Sequence, residues 1–281
     1  MNTAKIHNSV KATLVADSYL LGSHWVYNAS ALEALDINWQ ELNAPYAMWH
    51  KGKEKGDFTH YGDHAQHLLK FVQTTQDFKI NDYAPKWLEM MKDYKGYIDG
   101  SCRTTLEILE EDISRTRCAT SSDLSIVGRI AALLYVSDTK DDFLSNVEDF
   151  VAFTHNDEEV LKVASYFASV LYDVIKGSNI KDALASTKID ASLKEAFNAA
   201  KLSQNEPTLE TIYKFGPACS VGEGFKGALH LLFKYDNYKE AMIANAKAGG
   251  DSSARGMIVA MLMGANDCDV PQSWVDGTKG L

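Results

Sequence analysis

Proline is absent between Pro85 and Pro207 in this chain of 281 residues. Proline lacks a backbone N–H and clashes with the preceding turn, so it is the residue that most strongly interrupts helices. In many segments apolar residues recur at spacings of three and four, and one such stripe is Leu161, Ala164, Phe167, Ala168, Leu171 and Ile175. This spacing places apolar side chains on one helical face, and strands find no comparable support. The sequence therefore predicts an all-α fold.

The same periodicity predicts where the helices lie. We expect them at residues 4–21, 62–75, 82–95, 103–113, 123–136, 140–153, 157–175, 180–186, 191–202, 208–214, 221–234, 237–247 and 252–264. Side-chain oxygens that can accept from first-turn amides support four of the starts. These are Asn81 with Asp82, Ser122 with Asp123, Asn156 with Asp157, and Asp236 with Asn237.

Residues 36–61 show no periodicity and are predicted to form a long loop. A loop of that length in a compact helical domain is uncommon and is often functional, for instance as a cover over a site. No repeat or low-complexity linker divides the chain, so residues 1–281 are expected to form one domain.

The charge of the chain limits its partners. The net charge of -10 argues against nucleic acid and anionic membrane, because both need clustered Lys and Arg. No apolar run approaches the length of a membrane span, and no export signal is visible. The four cysteines are scattered, which favours reduced thiols and a cytoplasmic location. Among them, Cys219 is either a buried structural residue or a reactive thiol without an evident base.

Three short segments place acidic or imidazole side chains beside glycine, where backbone can approach a ligand closely. In residues 16–27, Asp17 lies in an apolar helix and His24 is flanked by aromatic residues. In residues 56–67 and 248–256, Asp63 and Asp251 stand on glycine-rich turns at helix starts. Such a carboxylate can coordinate a cation while nearby amides bind phosphate, which suits a diphosphate ligand. Each Asp alone is more often a simple helix cap.

The order of these segments resembles the ADP-ribosylglycohydrolase family. Its members carry a Thr-Asp-Asp-Thr turn and end with Gly-Gly-Asp-Thr-Asp-Thr before an alanine-rich helix. Residues 122–135 are similar to its central helix, and residues 153–157 to its Thr-His segment. The nearer resemblance is to a branch with the jellyfish lens J-type crystallins and selenoprotein J, which carry His-Trp, Tyr-Gly-Asp and Gly-Gly-Asp-Ser segments. The resemblance implies a compact, single-domain orthogonal helical bundle.

Catalytic members of the family hold two magnesium ions through the two aspartate turns. Against the first turn, residues 62–65 keep Asp63 and place His64 where the second carboxylate stands. Against the second, residues 249–254 keep Asp251 and place Ser253 at the second acidic position. Near the N-terminus, His24 stands where the family usually has Glu.

The resemblance implies one or two divalent metal ions, magnesium in the first place, with the ligands Asp63, His64, Asp251 and Ser253. Magnesium needs hard oxygen ligands in octahedral order, so the loss of two carboxylates weakens such a pair. If His24 and His64 joined the two aspartates around a single ion, nitrogen ligands would favour zinc, manganese or iron.

The implied activity is hydrolysis of an ADP-ribosyl, or similar N- or O-glycosidic, bond in a small molecule or modified protein. Asp63, Asp251 and His24 are the expected catalytic residues, with His24 accepting a proton from water. The expected ligand-binding residues are Gly62, Gly249, Gly250, Ser252, Ser253, Trp25 and Tyr61. The alternative is a non-catalytic protein that binds a nucleotide-like ligand or has a structural, crystallin-like role. A third alternative is a different hydrolytic or transfer reaction at the histidine-rich variant of the site.

Overall fold

Helices carry nearly all of the regular structure in the computed structural model, which describes residues 2–281. The α-helices in that range are α1 (Thr3–Leu20), α2 (Ala29–Ala34), α3 (His60–Val72), α4 (Ile80–Asp93), α5 (Gly100–Glu111), α6 (Lys140–Thr154), α7 (Glu158–Ile175), α8 (Ile180–Ser186), α9 (Lys194–Leu202), α10 (Thr208–Phe215), α11 (Val221–Lys234), α12 (Tyr238–Ala248), α13 (Ser252–Ala265) and α14 (Gln272–Gly277). Short 3₁₀ segments lie at Met48–His50, Ala191–Leu193 and Ser203–Asn205, and a longer one at Leu124–Val136. Within residues 2–281 the only β pairings are two isolated bridges.

The all-α prediction is confirmed, and most predicted helices lie within a few residues of their observed positions. Helix α4 begins at Ile80, so Asn81 and Asp82 lie inside it and do not cap it. The caps at Asp123, Asp157 and Asn237 are confirmed, because each side chain accepts from a first-turn amide. Helices α2 and α14 were not predicted, since six residues are too few to show a helical period. The single domain stays a prediction.

Helices α1 and α13 form the centre of the molecule. Every residue of α13 is buried, and after Arg255 the helix consists only of apolar residues and glycine, as expected of a helix at the centre of a core. Its glycines allow α1 to approach closely: a Cβ at Gly256 would lie 2.0 Å from Cδ1 of Leu20, and one at Gly264 would lie 2.6 Å from Cβ of Ala12. This close contact holds the C-terminal end of α1 beside the N-terminal end of α13.

Two backbone pairings bring the remaining site segments to this point. Trp25 N donates to the carbonyl of Gly250 at 2.7 Å, and Gly250 N donates to the carbonyl of Val26 at 2.8 Å. Gly250 has a φ of 61°, and a Cβ there would lie 2.3 Å from the carbonyl oxygen of Pro217. Only glycine fits such a position. The second bridge pairs Asp123 with Ser220, which places the start of the Leu124–Val136 segment beside Cys219.

No helix in residues 2–281 combines the length and the apolar character that crossing a bilayer requires.

Candidate functional site

Asp251 is the N-cap of α13, and its side chain is completely buried. Its Oδ1 accepts from Ala254 N at 3.1 Å. Its Oδ2 accepts from the Tyr61 hydroxyl at 3.0 Å and from Trp25 Nε1 at 3.2 Å. Nδ1 of His24 lies 3.4 Å from Oδ1. A buried carboxylate needs such donors, because burial removes the water that would otherwise stabilise its charge.

The first turn of α3 faces Asp251 through Tyr61. Thr59 caps this helix and accepts from Tyr61 N at 3.0 Å. The turn that faces Asp251 is therefore residues 59–62, and His60 and Tyr61 stand there in place of carboxylates. We call the region where this turn meets Asp251 the cleft. From the sequence, the family's turn was expected at residues 62–65.

Asp63 faces a different part of the molecule. Its Oδ2 accepts from Lys53 Nζ and from the Tyr94 hydroxyl, both at 2.6 Å. Asp63 also lines a cavity of about 510 Å³ together with Lys51, Lys70 and Lys95. Tyr61 and Asp63 are two positions apart, which is about 200° around an α-helix, so their side chains leave opposite sides of α3.

The structure does not bring the expected metal ligands Asp63, His64, Asp251 and Ser253 together. His64 is buried, its Nδ1 accepts from Trp87 Nε1 at 3.2 Å, and burial lowers its pKa to about 3. Ser253 donates to Asp17, not to an aspartate of either turn. The catalytic role expected for Asp63 stays a prediction, but Asp63 and Asp251 share no hydrogen-bond partner.

Asp17 forms a separate buried network behind the cleft. Its carboxylate accepts from the backbone N of Thr59 at 2.7 Å, from the Thr59 hydroxyl at 2.6 Å and from the Ser253 hydroxyl. Burial, and to a lesser extent the charge of Asp63, raises the pKa of Asp17 to about 6. A Cβ at Gly62 would lie 2.1 Å from Oδ2 of Asp17. In this position Gly62 makes room for the carboxylate.

Asp251 also belongs to a cluster with Asp123 and Cys219 at the open side of the cleft, which the sequence did not predict. Ligand atoms of Asp123, Cys219 and Asp251 all lie within 4.8 Å of one another, and the first two residues are half-buried. Burial and the charge of Asp251 raise the pKa of Asp123. Burial and both carboxylates raise the pKa of the Cys219 thiol, which keeps it protonated. The sequence predicted Asp251 as a site residue, Asp123 only as a helix start and Cys219 as a structural or reactive thiol, and it gave no sign that the three meet.

Aromatic and imidazole rings cover the buried side of Asp251. Trp25 has a φ of 63°, which is rare for a non-glycine residue. Its ring stacks on His24 and His50, with centroids 4.6 and 5.1 Å apart, and meets Tyr97 edge-on at 4.8 Å. His24 is completely buried, and burial lowers its pKa well below the usual value. A histidine in that state is a weak base at neutral pH.

These residues do not fit a pair of magnesium ions. The oxygens of Asp251 already accept from protein donors, and an imidazole and a phenol replace the carboxylates of the facing turn. Magnesium needs several hard oxygen ligands in octahedral order. Two carboxylates and a thiol, as in Asp123, Cys219 and Asp251, instead suit one softer divalent cation such as zinc.

The fold and this cleft define a class of all-α proteins in which a buried Gly-Gly-Asp turn faces the start of a second helix. The chain belongs to the ADP-ribosylglycohydrolase family, whose model matches residues 4–280. Crystallin J1A of Tripedalia cystophora is 22% identical over 96% of this chain and 91% of its own length. Crystallin J1B of the same organism is 22% identical over 99% of this chain and 94% of its own length.

One similar solved structure is described as an ADP-ribosylglycohydrolase-related protein complex. It superposes with a TM-score of 0.71 and 17% identity, covering 98% of this chain and 92% of that one. The family, the fold and the resemblance to J-type crystallins are therefore confirmed.

Proposed function

We propose that this protein binds an ADP-ribosyl group in the cleft at Asp123 and Asp251 and hydrolyses its N- or O-glycosidic bond there. Membership of the family supports the substrate class. The observation that carries the proposal is a close pair of carboxylates in different environments. Asp251 is buried among hydrogen-bond donors, whereas Asp123 is half-buried at the open side and has a raised pKa. Such a pair can divide acid and charge-stabilising roles.

In the proposed reaction Asp123 is the proton-transfer group. As the bond to the anomeric carbon breaks, the leaving nitrogen or oxygen takes the proton of Asp123. Positive charge then develops on the ribose, and the carboxylate of Asp251 stabilises it. Water adds to the anomeric carbon and returns a proton to Asp123. No step passes through a metal ion. Asp123, Cys219 and Asp251 would hold a single cation only with Asp123 ionised, so a bound cation would polarise the water or the ribose hydroxyls in place of proton transfer by Asp123.

The aromatic residues at the cleft supply surfaces for a flat base. Trp25 is half-buried, and Trp49, whose ring centroid lies 6.1 Å from that of Tyr97, is 55% exposed. Aromatic rings of this kind can stack on any nucleobase, because every base has a flat π face. This arrangement supports a ligand that carries a base as well as a ribose.

The test is release of ADP-ribose from ADP-ribosylated arginine, ADP-ribosylated serine and small ADP-ribosyl acceptors. We expect Asp123→Asn to lower the rate by about 100-fold, because it removes the proton-transfer group. Asp138→Asn is the matched control, since Asp138 is exposed and outside the cleft. Absence of release from every substrate, with and without added divalent metal, would exclude hydrolysis.

A second candidate is a non-catalytic role, either ligand binding or a structural role as in a crystallin. The specific observation that favours it is the cover over Asp251, whose Oδ2 is occupied by Tyr61 and Trp25. The curated relatives are also crystallins. Titration of the protein with free ADP-ribose distinguishes the two non-catalytic roles. A structural role predicts no saturable binding. A ligand-binding role predicts saturable binding, with no release of ADP-ribose from the substrates named above.

A further inference from the structure

Three buried histidines from separate parts of the chain meet beside the cleft. His24 follows α1, His50 ends the 3₁₀ segment in the loop of residues 36–61, and His60 begins α3. Their side chains are 0%, 3% and 1% exposed. The ring centroids are 5.0 Å apart for His24 and His50, 6.3 Å for His24 and His60, and 6.2 Å for His50 and His60.

These rings hold most of the unpartnered buried polar side-chain atoms in the part of the chain that the structure describes. Seven buried side-chain nitrogen or oxygen atoms in residues 2–281 lack a hydrogen-bond partner, and four of them belong to this trio. They are Nε2 of His24, Nε2 of His50, and both ring nitrogens of His60. Buried polar groups are almost always paired, so a concentration of unpaired nitrogens in one place indicates a missing partner.

Two of the rings also have a carboxylate beside one nitrogen. Oδ1 of Asp251 lies 3.4 Å from Nδ1 of His24, and Oδ2 of Asp99 lies 3.5 Å from Nε2 of His60. A carboxylate in that position favours the hydrogen on the nearby nitrogen, which leaves the lone pair on the other one. Metal-binding histidines typically donate their second N–H to a carboxylate in this way. For His60 the free lone pair is then on Nδ1. Nδ1 of His24 also accepts from the backbone N of Ser253 at 3.4 Å, so His24 offers a lone pair through Nε2 only with its hydrogen on Nδ1, towards Asp251.

The geometry points to a binding site for one divalent transition-metal ion, such as zinc, cobalt or nickel, held by His24, His50 and His60. Imidazole nitrogens suit these ions, whereas magnesium and calcium need oxygen ligands. Metal–nitrogen bonds of about 2.0–2.1 Å place neighbouring imidazole centroids roughly 5 to 6 Å apart around one ion. The separation of His24 and His50 lies in this range, whereas the two separations to His60 are slightly longer. The nitrogens of the three rings do not all lie within 4.8 Å of one another, so an ion would bind with the His60 ring drawn towards the other two. The site is separate from Asp123 and Cys219 and does not rest on the proposed hydrolysis.

The first measurement is binding of cobalt and zinc to the full chain, prepared without a histidine tag and treated with chelator. We expect one cobalt ion per chain, with visible absorption bands of a nitrogen-ligated ion and quenching of tryptophan fluorescence, because Trp25 stacks on two of the rings. Zinc should displace the cobalt. Failure to bind either ion, which would leave ordered water as the partner of these nitrogens, overturns the proposal.

Variants then identify the ligands. His50→Ala and His60→Ala should each weaken cobalt binding at least 10-fold, while His7→Ala, on an exposed residue, should leave it unchanged. Asp99→Asn should weaken binding by about 10-fold through its effect on His60, as expected of a positioning residue. His50→Gln serves as a second variant if His50→Ala lowers the thermal stability of the fold.

Cys219→Ser distinguishes this site from the cluster at the open side of the cleft. If the histidines hold the ion, this variant binds cobalt as tightly as the parent chain. A thiolate-to-cobalt absorption band that Cys219→Ser abolishes, with no effect of the histidine variants, would assign the ion to Asp123, Cys219 and Asp251 and refute the histidine site. Release of ADP-ribose is a separate measurement, so either proposal can fail alone.

Discussion

Asp63 and Asp251 both follow glycine near the start of a helix and accept from a tyrosine hydroxyl, yet their surroundings otherwise differ. Asp63 is 21% exposed, pairs with Lys53 and lines a lysine-rich cavity. Asp251 is completely buried and is held by a phenol, an indole and a backbone amide. Asp251 is itself the N-cap of its helix, whereas the N-cap of the other helix is Thr59.

The difference shows that a residue's place relative to the cap decides which way its side chain points. Thr59 and Asp251 occupy equivalent cap positions. The helix that Thr59 caps donates to Asp251 through Tyr61, and the helix that Asp251 caps donates to Asp17 through Ser253. Asp63 is four residues past its cap and leaves α3 on the side away from Tyr61. A Gly-Asp pair therefore marks the neighbourhood of a helix start without fixing the direction of the carboxylate.

The largest expected effect on stability is the difference between removing the carboxylate of Asp251 and removing that of Asp63. Asp251→Ala should lower the free energy of unfolding by about 4 kcal/mol, because it leaves buried donors of Trp25, Tyr61 and Ala254 without an acceptor. Asp63→Ala should cost about 1 kcal/mol or less, since Lys53 can be hydrated once its partner is removed. Urea unfolding of both variants measures the difference. Equal losses would contradict the contrast between the two turns.

The buried carboxylate of Asp17 should make stability depend on pH. Its pKa of about 6 in the folded protein lies above the ordinary 3.8, so folding favours the neutral acid. This contribution is complete below about pH 4 and is lost as pH rises through about 6, at a cost of about 3 kcal/mol.

The measurement is urea unfolding of the parent chain and of Asp17→Asn between those pH values. The fall in stability with rising pH should shrink by that amount in Asp17→Asn. The control variant Asp138→Asn, at an exposed residue, should show the same pH dependence of stability as the parent chain. If stability instead rose with pH in the parent chain and not in Asp17→Asn, folding would lower the pKa of Asp17 and not raise it.

Two glycines should respond to alanine with opposite signs. At Gly62 an added Cβ would lie 2.1 Å from Oδ2 of Asp17, so Gly62→Ala should destabilise by about 2 kcal/mol through overpacking. At Gly222, near the start of α11, no atom lies within 4 Å of an added Cβ. Gly222→Ala should stabilise by about 0.5 kcal/mol, because alanine loses less backbone entropy in a helix. Thermal unfolding compares them, and a neutral Gly62→Ala would argue against the close contact with Asp17.

The sequence was most informative where periodicity or a cap gave a local signal. The long stripe of α7 and its cap at Asp157 were both found, because a helix of 18 residues repeats its pattern several times. The helices α2 and α14 were missed because each completes fewer than two turns. The start of α3 was placed two residues late, because its cap Thr59 was not recognised as a helix-start signal.

Side chains that meet through the tertiary fold could not be predicted in the same way. Asp123 and Cys219 are 96 positions apart and lie together only because the bridge to Ser220 joins their segments. His50 joins His24 and His60 because the unpatterned loop returns to the cleft, which no local signal specifies. The glycines and Asp251 of the last turn were found because their identity is tied to a local backbone conformation.

The smallest expected loss of stability tests whether Thr59 caps α3 as Asp251 caps α13. Thr59→Ala removes the cap of α3 and one donor to Asp17, and should cost about 1 kcal/mol. The backbone N of Thr59 still donates to Asp17, which keeps the loss well below that of Asp251→Ala. Thr59→Ser retains the hydroxyl and should recover most of the stability in urea unfolding. If the serine variant is as unstable as the alanine variant, the threonine methyl group, and not the cap, accounts for the effect.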